Sequence, residues 1–203
     1  MSTTNNSEFY IFRDTRPSGS ARQLADRLGE NIRSLPEDAG LDGLLTVLLE
    51  AGELECALSD RCSPMSQLAA EMTEEAARVC VLCDTGKLAD KTDLEAKLPK
   101  FLQRMECADL ELPVLEGFAY YALHPLDYAD MVNRAGLAEG KAYVIGIRSI
   151  GVILSAVVTA KLRTGGVSAW RTSVRPFGHP YDRACRFSSE QRNGICSALA
   201  HQA

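Results

Sequence analysis

The run YVIGIRSIGVILSAVVTAKL, residues 143–162, limits the fold more than any other part of this chain. Its first part is β-branched and aromatic, as strands are. Its second part is apolar on almost every face, as a buried helix is. Between them stand Gly146, Arg148, Ser149 and Gly151. The pattern predicts a strand over 142–147, a tight turn, and a helix over 150–162 that Gly165 and Gly166 stop. A second strand over 167–174 follows. Strand, helix, strand in that order implies parallel strands and a right-handed crossover. The loop RPFGHPYDRACRF comes next. Ser188 with Gln191 then forms a capping box for a last helix to about residue 201.

The part before this unit reads as helical. Ser20 is placed to cap a helix over 21–34, with Leu24, Leu28, Ile32 and Leu35 at helical spacing. Residues 41–58 have a broad apolar face interrupted by Gly52, which predicts one bent helix or two short ones. Residues 67–82 and 93–105 give two more helices. LELPVLEGFAYYAL is strand-like, broken by Pro113 and Gly117. Pro125 opens a short helix that Gly136 can end. The expected division is a helical domain over 1–108 and an α/β domain over 109–203, well within the core-forming capacity of 203 residues.

The chain carries a net charge of −5, so wholesale binding to nucleic acid or anionic membrane is not expected. The charge is uneven, however. Between Lys141 and Arg192 nine basic residues face two acidic ones, a surplus of seven positive charges. A basic surface beside a turn suits a small anionic ligand. The first 20 residues lack the apolar core of a secretory signal, and the expected location is cytoplasmic. The seven cysteines then read as buried thiols rather than a disulfide framework.

In open α/β sheets, ligands bind outside the carboxyl ends of the strands. Arg148, Ser149, Ile150 and Gly151 fall there. The free N–H groups of the following helix favour an anion, phosphate above all. Arg148 adds a fork of donors and Ser149 a hydroxyl, while Gly146 and Gly151 permit close backbone approach. The competing reading is a plain strand-to-helix turn with a surface arginine. Neither the dinucleotide fingerprint nor a P-loop fits, because position 148 is Arg and no Gly-Lys-Ser/Thr follows.

VIGIRSIGVILSAVVTAKL resembles the pyrophosphate-binding loop of the type I phosphoribosyltransferases. With EGFAYYALHPLDYAD before it and VRPFGHPYDR after it, the segment from about 112 to 203 resembles bacterial phosphoribosyltransferase-like proteins. The resemblance implies a partial Rossmann-like parallel sheet. It also implies a ligand, phosphoribosyl pyrophosphate or a nucleotide, held with Mg²⁺. Arg148, Ser149, Ile150 and Gly151 would bind pyrophosphate, and Arg175, His179 and Arg183 would close over it. The intact family transfers a phosphoribosyl group to a nitrogen nucleophile. That chemistry needs a second motif, two adjacent acids and a loop of small residues, on the strand after the last helix. This sequence stops short of it. Two expectations stand. The chain is a piece of a longer transferase, or it is a non-catalytic nucleotide-binding or protein-interaction module whose open strand edge at Val167–Val174 invites dimerisation or a missing strand.

Other candidates are weaker. CVLC pairs Cys80 and Cys83 at zinc or redox spacing, but Cys56 and Cys62 do not complete a standard knuckle, and a packed helix face explains the pair. Phe118, Tyr120, Tyr121, His124 and Tyr128 could stack on a base, or pack on the helical part. TRPSGS, residues 15–20, has no more than generic capping in its favour.

Overall fold

A computed structural model of the chain describes residues 20–36, 39–87, 91–105, 123–137, 139–179 and 181–199. Four helices come first: α1 (Ala21–Ser34), α2 (Leu41–Asp60), α3 (Ser66–Asp84) and α4 (Thr92–Met105). Ser20 caps α1 in a full capping box, its hydroxyl accepting from the Gln23 amide and its own amide donating to the Gln23 side chain. Next come α5 (Asp127–Ala135), β1 (Lys141–Ile147), α6 (Gly151–Thr164) and β2 (Ser168–Val174). A hairpin of β3 (Phe177–His179) and β4 (Asp182–Ala184) leads to α7 (Ser189–Leu199). Gly136 ends α5 in the left-handed conformation, φ 65°, that glycine adopts without strain. The Ser188–Gln191 capping box opens α7, with bonds of 2.8 and 3.1 Å.

The fold is mixed α/β and mostly helical, with seven helices among the described residues. β1 and β2 pair in parallel, from Lys141 opposite Ser168 to Ile147 opposite Val174. Two sequence expectations change. The stretch read as a long basic loop after β2 contains the antiparallel β3–β4 hairpin, with Gly178 at φ 100° where the two backbones approach. The stretch 41–58, read as one bent helix or two short ones, is a single helix, so only the two-helix alternative falls. A glycine costs a helix about 1 kcal/mol, too little to break one that is buried along its length.

Gly52 has a packing reason. A β-carbon there would overlap Cγ1 and Cδ1 of Ile153, the fully buried residue of α6 that sits against it. Helix α6 thereby enters the core of the helical part. Val152, Ile153, Ala156, Val157 and Ala160 share one apolar cluster with residues of α1–α4, and Leu126 and Ala129 join it from α5. A smaller cluster of Leu162, Val167 and Ala169, with Val132, Ala142 and Val144 against it, lies between α5, α6 and the sheet. The expected boundary at 108/109 lies outside the described residues, as does most of LELPVLEGFAYYAL.

Gly52→Ala should destabilise the native chain. Overpacking costs about 1–3 kcal/mol, against about 1 kcal/mol gained in helix propensity. In an Ile153→Ala background the same change should become neutral or stabilising. Chemical denaturation of the four chains checks this reversal of sign.

Candidate functional site: the corner between β1 and α6

The corner is built by close backbone packing. A β-carbon on Gly146 would overlap the Gly151 carbonyl and the Ser155 hydroxyl, so strand and helix meet with no side chain between them. Ser149 takes φ 144° in the turn, a conformation that costs a non-glycine residue about 1–3 kcal/mol. Ile150 caps α6 at φ −61° and ψ −30° without a side-chain hydrogen bond. Arg148 N–H still belongs to the sheet, donating to Val174 O at 2.8 Å, and the α6 bonding begins with Val152 N–H on Ser149 O. The amides of Ser149, Ile150 and Gly151 have no acceptor among the described residues. Three consecutive donors therefore stand at the carboxyl end of a parallel strand and the positive end of a helix dipole.

The Arg148 side chain turns towards the helical part. Nε donates to Ser173 Oγ (3.2 Å) and Nη2 to Ser173 O (3.1 Å). Nη1 donates to Ser59 O and Asp60 Oδ1, both at 3.1 Å. Arg175 reaches the same carboxylate. Its Nε donates to Oδ1 at 3.1 Å and its Nη2 to Oδ2, while its Nη1 donates to the Arg148 carbonyl at 3.0 Å. Two guanidinium groups thus clasp one carboxylate at the last turn of α2, and Arg148 also caps the Ser59 carbonyl there, a favourable place for cations. The cluster keeps one surplus positive charge.

Electrostatics at this clasp follow from its geometry. Burial alone would raise the Asp60 carboxyl, but the hydrogen bonds from Arg175 and Arg148 outweigh it and hold the group below its ordinary 3.8. The bond to Asp60 likewise raises Arg175. Cys56, one turn before Asp60, is buried and has Arg175 Nη2 at 3.5 Å. Burial first, and the Asp60 carboxylate second, push its thiol up to about 11, so it stays protonated at neutral pH and is a poor nucleophile.

Of the residues expected to line a pyrophosphate site, Ser149, Ile150 and Gly151 form the corner, and Arg148 and Arg175 are brought together beside it. His179 and Arg183 lie on the exposed β3–β4 hairpin. His179 Nδ1 accepts from the Tyr181 amide at 3.3 Å, and Arg183 pairs with Gly178 in the ladder. Neither hydrogen-bonds to the corner among the described residues. Cys80 is buried in the core, where desolvation raises its thiol well above the ordinary value, and Cys83 Sγ lies 3.8 Å from Ala39 O. His124 accepts from Leu126 N–H, while Phe118, Tyr120, Tyr121 and residues 15–19 lie outside the described residues.

Sequence reasoning missed Asp60, and it missed Arg171. Arg171 is buried with its side chain 1% exposed. It pairs with Glu55 at 2.8 Å and Glu74 at 3.2 Å, and it donates to Val152 O and Ala70 O at 3.1 and 3.2 Å. Burial would lower its affinity for a proton; the Glu55 carboxylate, then Glu74, reverse that and raise it. A local signal existed. Arg171 has the same strand parity as Ala169 and Ser173, the face turned to α6, and Glu55 stands inside the apolar run of α2.

No protein-family model, curated protein or solved structure matches this chain. The phosphoribosyltransferase resemblance therefore rests on the quoted residues alone. No helix among the described residues is long and apolar enough to cross a membrane.

Two outcomes follow from these contacts. Arg171→Met leaves Glu55 buried without its partner and should cost about 3–5 kcal/mol, whereas Arg171→Met with Glu55→Leu should recover most of it. Urea denaturation of both chains measures the difference. For Asp60, the folded pKa lies below the unfolded 3.8, so its stabilisation is fully present above that pH. It is lost as pH falls through the folded value. Asp60→Asn should therefore be less stable than the native chain at pH 6, with the gap closing below pH ~3.8; thermal melts across pH 2–6 read it.

Proposed function

We propose that the corner between β1 and α6 binds the diphosphate of a small anionic ligand, phosphoribosyl pyrophosphate or a nucleotide. The observation that carries the reading is the row of three unpartnered amides at Ser149, Ile150 and Gly151, with the Arg148–Asp60–Arg175 clasp and its surplus positive charge beside it. Oriented amides at a helix N-terminus need no rearrangement to meet phosphate oxygens. The surrounding segment is basic within an acidic chain, which raises the local concentration of anions. The ligand class comes from the resemblance to the type I phosphoribosyltransferases.

Transfer of a phosphoribosyl group is reserved for a polypeptide that also carries the acidic pair and small-residue loop for the ribose and its 5′-phosphate. For this chain the reading is binding. The residues at the corner do not make a magnesium site of their own. Asp60 is the carboxylate bonded to the corner's arginines, and both its oxygens are held by guanidinium groups. Mg²⁺ is bound through one or two carboxylates plus substrate phosphates, so here it would arrive on the diphosphate.

A second reading has one observation in its favour. All three donor nitrogens of Arg148 are bonded within the protein, so the arginine serves as a clasp between the sheet and α2 whether or not a ligand binds. On that reading the chain is a non-catalytic interaction module.

Calorimetry with magnesium pyrophosphate separates the two. Ile150→Pro removes one corner amide at a φ that proline adopts. It should weaken binding at least ~10-fold, about 1.4 kcal/mol, in a chain whose melt stays cooperative, with any fall in melting temperature reporting the limit that proline sets on Ser149. Arg148→Ala should weaken binding and lower the melting temperature together. No heat from the native chain, or equal affinities for native and Ile150→Pro chains, overturns the diphosphate reading.

A further inference from the structure

A cavity of about 320 Å³ opens between α3, α4 and α6, and no residue of the β1–α6 corner lines it. At roughly 30 Å³ for each water-sized group, it holds a molecule of about ten non-hydrogen atoms, too small for a nucleotide. The cavity follows a groove along α3. Arg171 donates to both Ala70 O and Val152 O, and Thr85 and Thr164 line one neighbouring cavity, so α3 and α6 run side by side in the same direction. Arg78 meets Asp93 and Glu75 meets Lys97, so α4 runs the other way. Ala156 and Ala160 form the wall on α6, where their small side chains leave the space.

Two carboxylates at the base of the groove are fully occupied. Glu75 Oε1 accepts from Arg78 Nε at 2.7 Å, and its Oε2 accepts from Lys97 Nζ at 3.0 Å. Burial would raise the Glu75 carboxyl, but the bonds from Arg78 and then Lys97 outweigh it and hold the group below its ordinary 4.5. Glu74 Oε1 accepts from Arg171 Nε at 3.2 Å, and its Oε2 accepts from Arg163 Nη1 at 2.6 Å. Their cations keep open donors. The Lys97 ammonium has three N–H groups and bonds Glu75 with one. Arg163 uses Nη1 on Glu74 and Nε on Ala169 O, which leaves Nη2 without an acceptor among the described residues.

Glu71 is the opposite case. It lines the same cavity and is exposed, and Gln67 Nε2 donates to its Oε1 at 3.4 Å. No cation bonds it among the described residues. In the whole network four cations, Arg78, Lys97, Arg163 and Arg171, face five carboxylates once Glu55 and Asp93 are included, and Glu71 is the one left over. An anion alone would meet the open donors but add to a network that is already negative. A cation alone would meet only Glu71. A molecule that carries both charges answers both ends. Glu71 and Glu75, which holds Lys97, stand four residues apart on α3, ~6 Å along the helix axis. That is farther than the two charges of an α-amino acid reach.

We propose that this cavity binds a small zwitterion whose ammonium and carboxylate stand at opposite ends of a short aliphatic chain. The ammonium pairs with Glu71, the carboxylate takes the open donors of Lys97 and Arg163, and the chain lies along Ala156 and Ala160. The aliphatic stems of Lys97 and Arg163 add apolar wall on either side. This inference rests on the groove between the helices and holds whether or not the corner binds diphosphate.

Calorimetry at low ionic strength tests it, with ε-aminocaproate as the probe and with caproate and hexylamine, each of which lacks one charge. The native chain should bind ε-aminocaproate at least ~10-fold more tightly than either. Glu71→Gln keeps the bond from Gln67 and removes only the unpaired charge, so its melting temperature should match that of the native chain. It should bind ε-aminocaproate no better than caproate. In a ¹⁵N-labelled chain the saturable amide shifts should fall on residues 71–78 of α3 and 156–164 of α6. Four results overturn the proposal. One is the absence of saturable binding. Another is caproate or hexylamine binding as tightly as the zwitterion, which would make the cavity a site for a single charge. The third is equal affinity of the native and Glu71→Gln chains. The last is shifts that fall elsewhere.

Discussion

Arg171 ties the sheet to the helices. Its guanidinium sits at the junction of β2, α2, α3 and α6, with carboxylates from Glu55 and Glu74 and carbonyls from α3 and α6 around it. An arginine so placed tolerates little freedom. Each donor left unbonded would cost as much as a neutral buried hydrogen bond, and an unpaired charge far more. The group therefore fixes the register of the whole α/β unit against the helical part. Apolar packing supplies the bulk of the stabilisation, but the notch at Gly52 and the ion pair of Arg171 give it one arrangement.

That registration places the corner. Because β2 is pinned by Arg171, its last residues bring Ser173 and Arg175 to the end of α2, where Asp60 meets Arg148 and Arg175. The clasp holds the residues that flank the first turn of α6, where the amides of Ser149, Ile150 and Gly151 have no acceptor among the described residues. Strain at Ser149 is stored at this turn and is balanced by the close packing of Gly146 on Gly151. A fixed array of donors at a rigid junction is the property that the diphosphate reading uses.

The parts of the fold that depend on local pattern were legible. The stripe Leu24, Leu28 and Ile32 is the buried face of α1, and both Ser20 and Ser188 cap the helices expected of them. The strand, helix and strand from 141 to 174 lie within two residues of their expected bounds. What could not be read depends on distant partners. Gly52 looks like a helix breaker until Ile153 is known to fill the notch. Arg171 looks like one more charge in a basic segment until Glu55 and Glu74 are brought to it. Asp60 ends a helix unremarkably, and only the fold sets two arginines on it. The β3–β4 hairpin was hidden because prolines and glycine mark a turn without showing which residues pair across it.

The central claim is that the corner's amides, and not its surface charge alone, receive the anion. The direct measurement is a titration of the ¹⁵N-labelled chain with pyrophosphate, followed by amide chemical shifts. The account predicts saturable shifts that are largest at Ser149, Ile150 and Gly151. Shifts spread over exposed lysines and arginines, with those three unmoved, would contradict it.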